Sequence, residues 1–184
     1  LRYISNEEVV KSIVTNNKVN YKKLVDLIPS NKVENHAYIN TGNLNFKRDS
    51  STGLELPSFS NGSAYGDLDN DGDYDLVVNN VNMRAFIYEN KTEEFYPENK
   101  FLKIKLKGRD KNLDAIGSKV FIYSGDKTFN LEQMPIRGFQ STVDNSLIFG
   151  VGDTDVIDSI IVNWYDGSMS KVQNISTNQS LIFD

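Results

Sequence analysis

Along residues 101–107 apolar and charged side chains alternate from Leu102 onward, with Lys103, Lys105 and Lys107 set among Leu102, Ile104 and Leu106. Successive side chains of a strand point to opposite faces, so this period of two predicts a strand with one dry and one wet face. The lysines form a basic stripe on the wet face, suited to attracting an anion, though lysine on a wet strand face commonly blocks unwanted edge pairing and that reading is preferred. Further apolar runs at 120–123, 129–134, 147–149, 160–164 and 181–183 follow at short spacing. Ser124-Gly125-Asp126 and Tyr165-Asp166-Gly167 read as hairpin turns, where glycine takes positive φ without steric cost. The pattern predicts an antiparallel β-sandwich or barrel for this half of the chain.

Upstream the period changes twice. Ser5-Asn6-Glu7-Glu8 has the form of a capping box, and Val9, Val10, Ile13 and Val14 follow at helical spacing. Tyr21, Leu24, Val25 and Ile28 repeat that spacing before Pro29 closes a second short helix. From His36 alternation returns, and Asn40-Thr41-Gly42-Asn43 predicts a hairpin turn leading into Leu44 and Phe46. Ala64 and Tyr65 enter an acidic run, Leu76-Val77-Val78 leave it, and after Asn79-Asn80-Val81-Asn82 the chain runs back through 85–88. The acidic run is therefore expected to join two strands. Residues 91–100 are polar, contain Pro97 and predict a linker. Three segments are expected: a helical 1–35, a β unit over 36–95 and a second β unit over 96–184.

With 184 residues, 39% of them hydrophobic, the chain has material for a packed core. The 20 Lys+Arg against 25 Asp+Glu give a net charge of -5, which argues against a nucleic-acid partner that needs a basic face. No apolar stretch approaches the roughly 20 residues that cross a bilayer, and no charged-then-apolar leader is present, so a soluble chain without a membrane span is expected. Because it starts at Leu1, the sequence is expected to be a piece of a longer protein. Zero cysteines exclude disulfides, thiol nucleophiles and thiolate metal sites.

The chemistry concentrates in Gly66-Asp67-Leu68-Asp69-Asn70-Asp71-Gly72-Asp73-Tyr74-Asp75. Five carboxylates at alternate positions repel one another unless a cation stands among them. Calcium takes six to eight oxygens at about 2.3–2.6 Å, and short acids converging from alternate positions of a turning loop meet that demand. Asp67, Asp69 and Asp71 are expected as side-chain ligands, and Asp75 as the closing one. Asp73 is expected to bind through its backbone carbonyl with its own carboxylate turned to water, while Gly72 permits the sharp turn. A helix-loop-helix calcium hand is excluded, because Val78 stands where that hand needs a bidentate glutamate and both flanks read as strands. Magnesium fits less well, since it demands a rigid octahedron and keeps several waters. The bland alternative is a solvated acidic turn that binds nothing.

Residues 59–80, FSNGSAYGDLDNDGDYDLVVNN, resemble an FG-GAP or VCBS repeat, the calcium-loop blade of integrin-like β-propellers. Residues 101–184 resemble the ASPIC/UnbV domain that often follows such repeats in cartilage acidic protein-like and bacterial surface proteins. The residues carrying this second resemblance are Asp114-Ala115-Ile116-Gly117-Ser118-Lys119-Val120, Gln140-Ser141, Leu147-Ile148-Phe149-Gly150-Val151-Gly152, and Val162-Asn163-Trp164 leading to Asp166-Gly167. Tyr165 stands where the family often has proline. The resemblance implies a mainly β fold: one propeller-blade-like antiparallel sheet with short N-terminal helices, then the sandwich or barrel. A propeller closes from about four to eight blades, and one calcium repeat is found. The blade is therefore expected either to have neighbours upstream or to lean on the second β unit and the N-terminal helices.

The expected function is a non-catalytic calcium-binding module, extracellular, on the cell surface or periplasmic, forming the C-terminal part of a larger surface binding or adhesion protein. Its partner would be a protein or polysaccharide. The alternatives are a polysaccharide-active hydrolase or carbohydrate-binding component with a cleft between blade and sandwich, and a purely architectural domain. His36 is the only histidine and stands in no nucleophile pattern, so it reads as structural. Glu93 with Glu94, and Asp153 with Asp155, read as solvated loop charge, because hydrolysis needs two acids in different environments across a cleft. The tyrosines, phenylalanines and Trp164 read as packing. Asn61, Asn90, Asn174 and Asn178 open glycosylation sequons.

Overall fold

The computed structural model describes residues 30–184 together with Glu7 and Lys11. Those two residues apart, the helices expected at 5–14 and 21–28 lie outside the described residues. What is described is mainly β, as the alternating pattern predicts, with twelve strands and one single-turn helix among residues 30–184. Among the described residues no helix is long and apolar enough to cross a membrane. The chain divides into two compact units, Leu1–Ser60 and Asn61–Asp184.

In the first unit β1 (Ala37–Gly42) and β2 (Asn45–Asp49) form the expected hairpin. Its turn lies later than the sequence suggests. Asn43 and Leu44 both take positive φ, 51° and 61°, as in the two-residue mirror-image turns whose twist matches the flanking strands. Leu44 consequently stands at the tip, 90% exposed, instead of opening the second strand. Arg48 on β2 pairs with Glu55 at 2.7 Å and Glu34 at 3.3 Å, exposed contacts that contribute little to stability.

In the second unit, which takes all of β3 (Ser60–Gly66) but its first residue, β3, β4 (Asp75–Asn80) and β5 (Phe86–Tyr88) form a three-stranded sheet in the order β3-β4-β5. β4 and β5 run antiparallel, Leu76 opposite Tyr88 and Val78 opposite Phe86. A single-turn helix, Thr92–Phe95, interrupts the expected linker. Beyond it, β6 (Lys100–Leu106), β9 (Leu147–Gly152) and β12 (Gln179–Phe183) make one sheet with β6 in the middle. β7 (Lys119–Ser124), β8 (Lys127–Glu132), β10 (Val156–Asn163) and β11 (Met169–Ser176) make another, in the order β11-β10-β7-β8.

The dry positions of these two sheets meet in one core. Leu102, Ile104 and Leu106 of β6 join Val120 and Ile122 of β7, Phe149 and Val151 of β9, Ile160 and Val162 of β10 and Phe183 of β12. Burying each Leu or Ile fully contributes about 1.5–3 kcal/mol, so the sandwich holds itself together. β12 and β6 run parallel, from Gln179 opposite Leu102 to Phe183 opposite Leu106, whereas β6–β9, β7–β8, β7–β10 and β10–β11 pair antiparallel. Since β6 is a central strand, its lysines have no edge to protect. β11 has no counterpart among the expected strands. Its residues alternate only between exposed and half-buried, as on an outer strand, so it offers no apolar run to notice.

Candidate metal centre

Residues 67–74 connect β3 to β4. Their short acids fold the loop locally, because an aspartate side chain can accept the amide two residues on. Asp69 Oδ1 accepts from the Asp71 amide at 3.3 Å, and Asp71 Oδ1 from the Asp73 amide at 3.1 Å. Asn70 and Gly72 take the left-handed conformation, φ 68° and 99°. Gly72 is required twice over, since a Cβ there would stand 2.3 Å from the ring of Phe101. Tyr74 anchors the end of the loop by donating its hydroxyl to the Ser146 carbonyl at 3.2 Å, and its ring meets Tyr65 edge-on at 4.9 Å.

Asp75 is buried at the start of β4, 3% exposed. Its Oδ2 accepts from the Leu68 amide and its Oδ1 from the Asn90 amide, both at 2.9 Å. The carboxylate thus staples the entry of the loop and the segment after β5 onto β4. It lies outside both groups of converging acids described next.

Among the described residues two groups bring carboxylate oxygens within 4.8 Å of one another: Asp67, Asp69 and Asp71, then Asp71, Asp73 and Glu93. Asp71 belongs to both. The Asp67 side chain is fully buried; its Oδ2 accepts from Lys103 Nζ at 2.7 Å, and its Oδ1 is buried with no hydrogen-bond partner. A buried carboxylate oxygen left without a donor is costly. The donor set is made of carboxylate oxygens alone, which suits a hard cation such as calcium.

The Asp73 carboxylate is held differently from its expected turn to water. Its Oδ2 accepts from the Thr92 amide at 3.2 Å, and its Oδ1 is buried without a partner. Burial, and after it the negative charges of Asp71 and Glu93, push the Asp73 carboxyl above the usual carboxylate range, against the opposing effect of the Thr92 bonds. Glu93, read from sequence as solvated charge, comes beside Asp71 and Asp73 because the helix Thr92–Phe95 places it there. His36, Asp153 and Asp155 belong to neither group.

Lys103 takes the role that its sequence pattern made the second choice: it meets an anion, the Asp67 carboxylate, and guards no sheet edge. The alternation places it on the face of β6 away from the core, and tertiary packing sets the acidic loop over that face. Its side chain is 16% exposed, and besides Asp67 it donates to Asn70 Oδ1 at 3.3 Å. Next to the second group of acids lies a cavity of about 660 Å³, whose lining includes Asp71, Asp73, Tyr74, Asn90, Glu93 and Phe101.

Residues 108–184 match the protein family described as ASPIC and UnbV. No curated protein matches the chain. The ASPIC and UnbV match spans β7 to β12, and it meets the resemblance expected for the C-terminal half from residue 108 onward. It begins just after β6, so the acidic loop, Lys103 and the central strand of the β12-β6-β9 sheet all lie outside it.

Proposed function

We propose that this chain is a non-catalytic, calcium-stabilised binding module of a larger surface protein, located outside the cytoplasm. The observation that carries this is the buried, unpartnered Oδ1 of Asp67, within a group whose oxygens already converge with those of Asp69 and Asp71. A divalent ion on these oxygens satisfies the buried atom and offsets the mutual repulsion of the loop's acids. The likeness of residues 59–80 to an FG-GAP or VCBS repeat supports the same ion. Extracellular calcium modules bind with dissociation constants of about 10⁻⁴–10⁻³ M, a range that is filled outside cells and empty where free calcium is kept low.

The test is calorimetric titration of calcium into chelator-stripped protein, with thermal melts in calcium and in chelator. Binding to the folded state alone stabilises it by about 2.7 kcal/mol at a hundredfold excess over Kd. Calcium is expected to raise the melting temperature of the parent, and Asp69→Ala to abolish most of the rise. No heat and no shift up to about ten times the weakest extracellular Kd would overturn the proposal.

The cavity beside Asp71, Asp73 and Glu93 favours a carbohydrate as the second ligand, with Tyr74, Phe101 and Asn90 offering ring faces and an amide to a sugar. The three acids hold their oxygens within 4.8 Å of one another. Oligosaccharide titration in calcium and in chelator separates this from an architectural role.

A further inference from the structure

The contact of Lys103 with the loop has a direction to it. One oxygen of Asp67 accepts the ammonium at 2.7 Å and the other is buried and unpartnered, while the same ammonium reaches Asn70 Oδ1 at 3.3 Å. Both Asp67 and Asn70 belong to the loop, and Lys103 belongs to the central strand of a sheet whose opposite face is core. Among the described residues Lys103 is the one lysine or arginine paired with a loop acid.

We propose that Lys103 is the loop's internal counter-ion: it holds the acids together in the absence of a divalent ion and sets the affinity low when the ion arrives. This deepens the calcium proposal and rests on it. An ion on Oδ1 and an ammonium on Oδ2 share one carboxylate, so the two positive charges stand on the order of 5–7 Å apart. Even at an effective dielectric of about 20, repulsion between a single and a double charge at that distance is worth several powers of ten in affinity. Movement of the long lysine stem relieves part of it, and at least about a tenfold effect on Kd remains. Without the ammonium, Asp67 is a buried charge with no partner, so the ion-free fold depends on Lys103 more than the calcium-bound fold does.

Lys103→Met, Lys103→Arg and the parent are compared by calcium calorimetry and by melting in chelator and in saturating calcium. Lys103→Met is expected to bind calcium at least about tenfold more tightly than the parent, to melt lower in chelator, and to recover in calcium. Lys103→Arg, which keeps the charge, is expected to follow the parent. If the methionine variant does not fold in chelator, Lys103→Gln supplies the comparison, with the charge gone and a donor kept. Calcium binding by the parent with unchanged or weaker affinity in the uncharged variants overturns the role of Lys103 and leaves the calcium site standing. No binding by the parent or by any variant up to about ten times the weakest extracellular Kd overturns both.

Discussion

Asp69 and Asp75 are chemically the same residue six positions apart, yet the fold gives them separate tasks. Asp75 is buried and accepts the Leu68 and Asn90 amides; Asp69 is exposed and belongs to a converging group. Asp75→Ala leaves two backbone donors without their acceptor, so it should cost about 2–3 kcal/mol in calcium and in chelator alike. Asp69→Ala should leave the melt in chelator near that of the parent and lose only the rise caused by calcium. Equal calcium dependence in the two variants would mean that Asp75 also holds the ion. The alternating acids and Gly72 made the loop legible in the sequence, since spacing is a local property. The stapling by Asp75, the inward turn of the Asp73 carboxylate and the approach of Lys103 were not, because each depends on which distant segment packs beside the loop.

At the scale of elements, turns were read with the same unevenness. Gly125-Asp126 joins β7 to β8 where expected, with Gly125 at φ 54°. The β1–β2 turn slipped to Asn43-Leu44, because asparagine accepts positive φ and the mirror-image turn then carries Leu44 with it. Between β10 and β11, Asp166 Oδ1 accepts the Ser168 amide at 2.8 Å and its hydroxyl at 2.6 Å. These bonds hold the Asp166 carboxyl below the usual carboxylate range. A pKa lowered by folding stabilises above the unfolded value, about 3.9, and that stabilisation fades as pH falls through the lowered one. Asp166→Ala should therefore melt below the parent at neutral pH, and the gap should narrow in strong acid. A gap that is constant with pH would place the effect in backbone geometry instead of charge.

For the whole molecule, the mainly β class was legible because strand periodicity survives wherever one face of a sheet is dry, as at Leu102, Ile104 and Leu106. Which strands share a sheet was not, since nothing local announces that β6 lies between β9 and β12. The family match starts at residue 108, after β6. A protein comprising 108–184 alone should fail to fold cooperatively, because β9 and β12 lose their shared partner and the core loses Leu102, Ile104 and Leu106. A protein comprising 96–184 retains all of these and should give a cooperative melt. Two similar melts would show that β6 is dispensable.

The parallel pairing of β6 with β12 also decides how the sandwich answers to tension. Parallel strands have their leading ends on the same side, so a pull between Lys100 and Asp184 drags the two strands past each other and loads the pairs from Leu102–Gln179 to Leu106–Phe183 together. A pull between Leu106 and Asp184 peels the same pairs apart one at a time. Stretched singly by an optical trap or cantilever, the molecule should resist the first at a distinctly higher rupture force than the second. Mechanical strength therefore depends on the point of attachment as much as on thermodynamic stability.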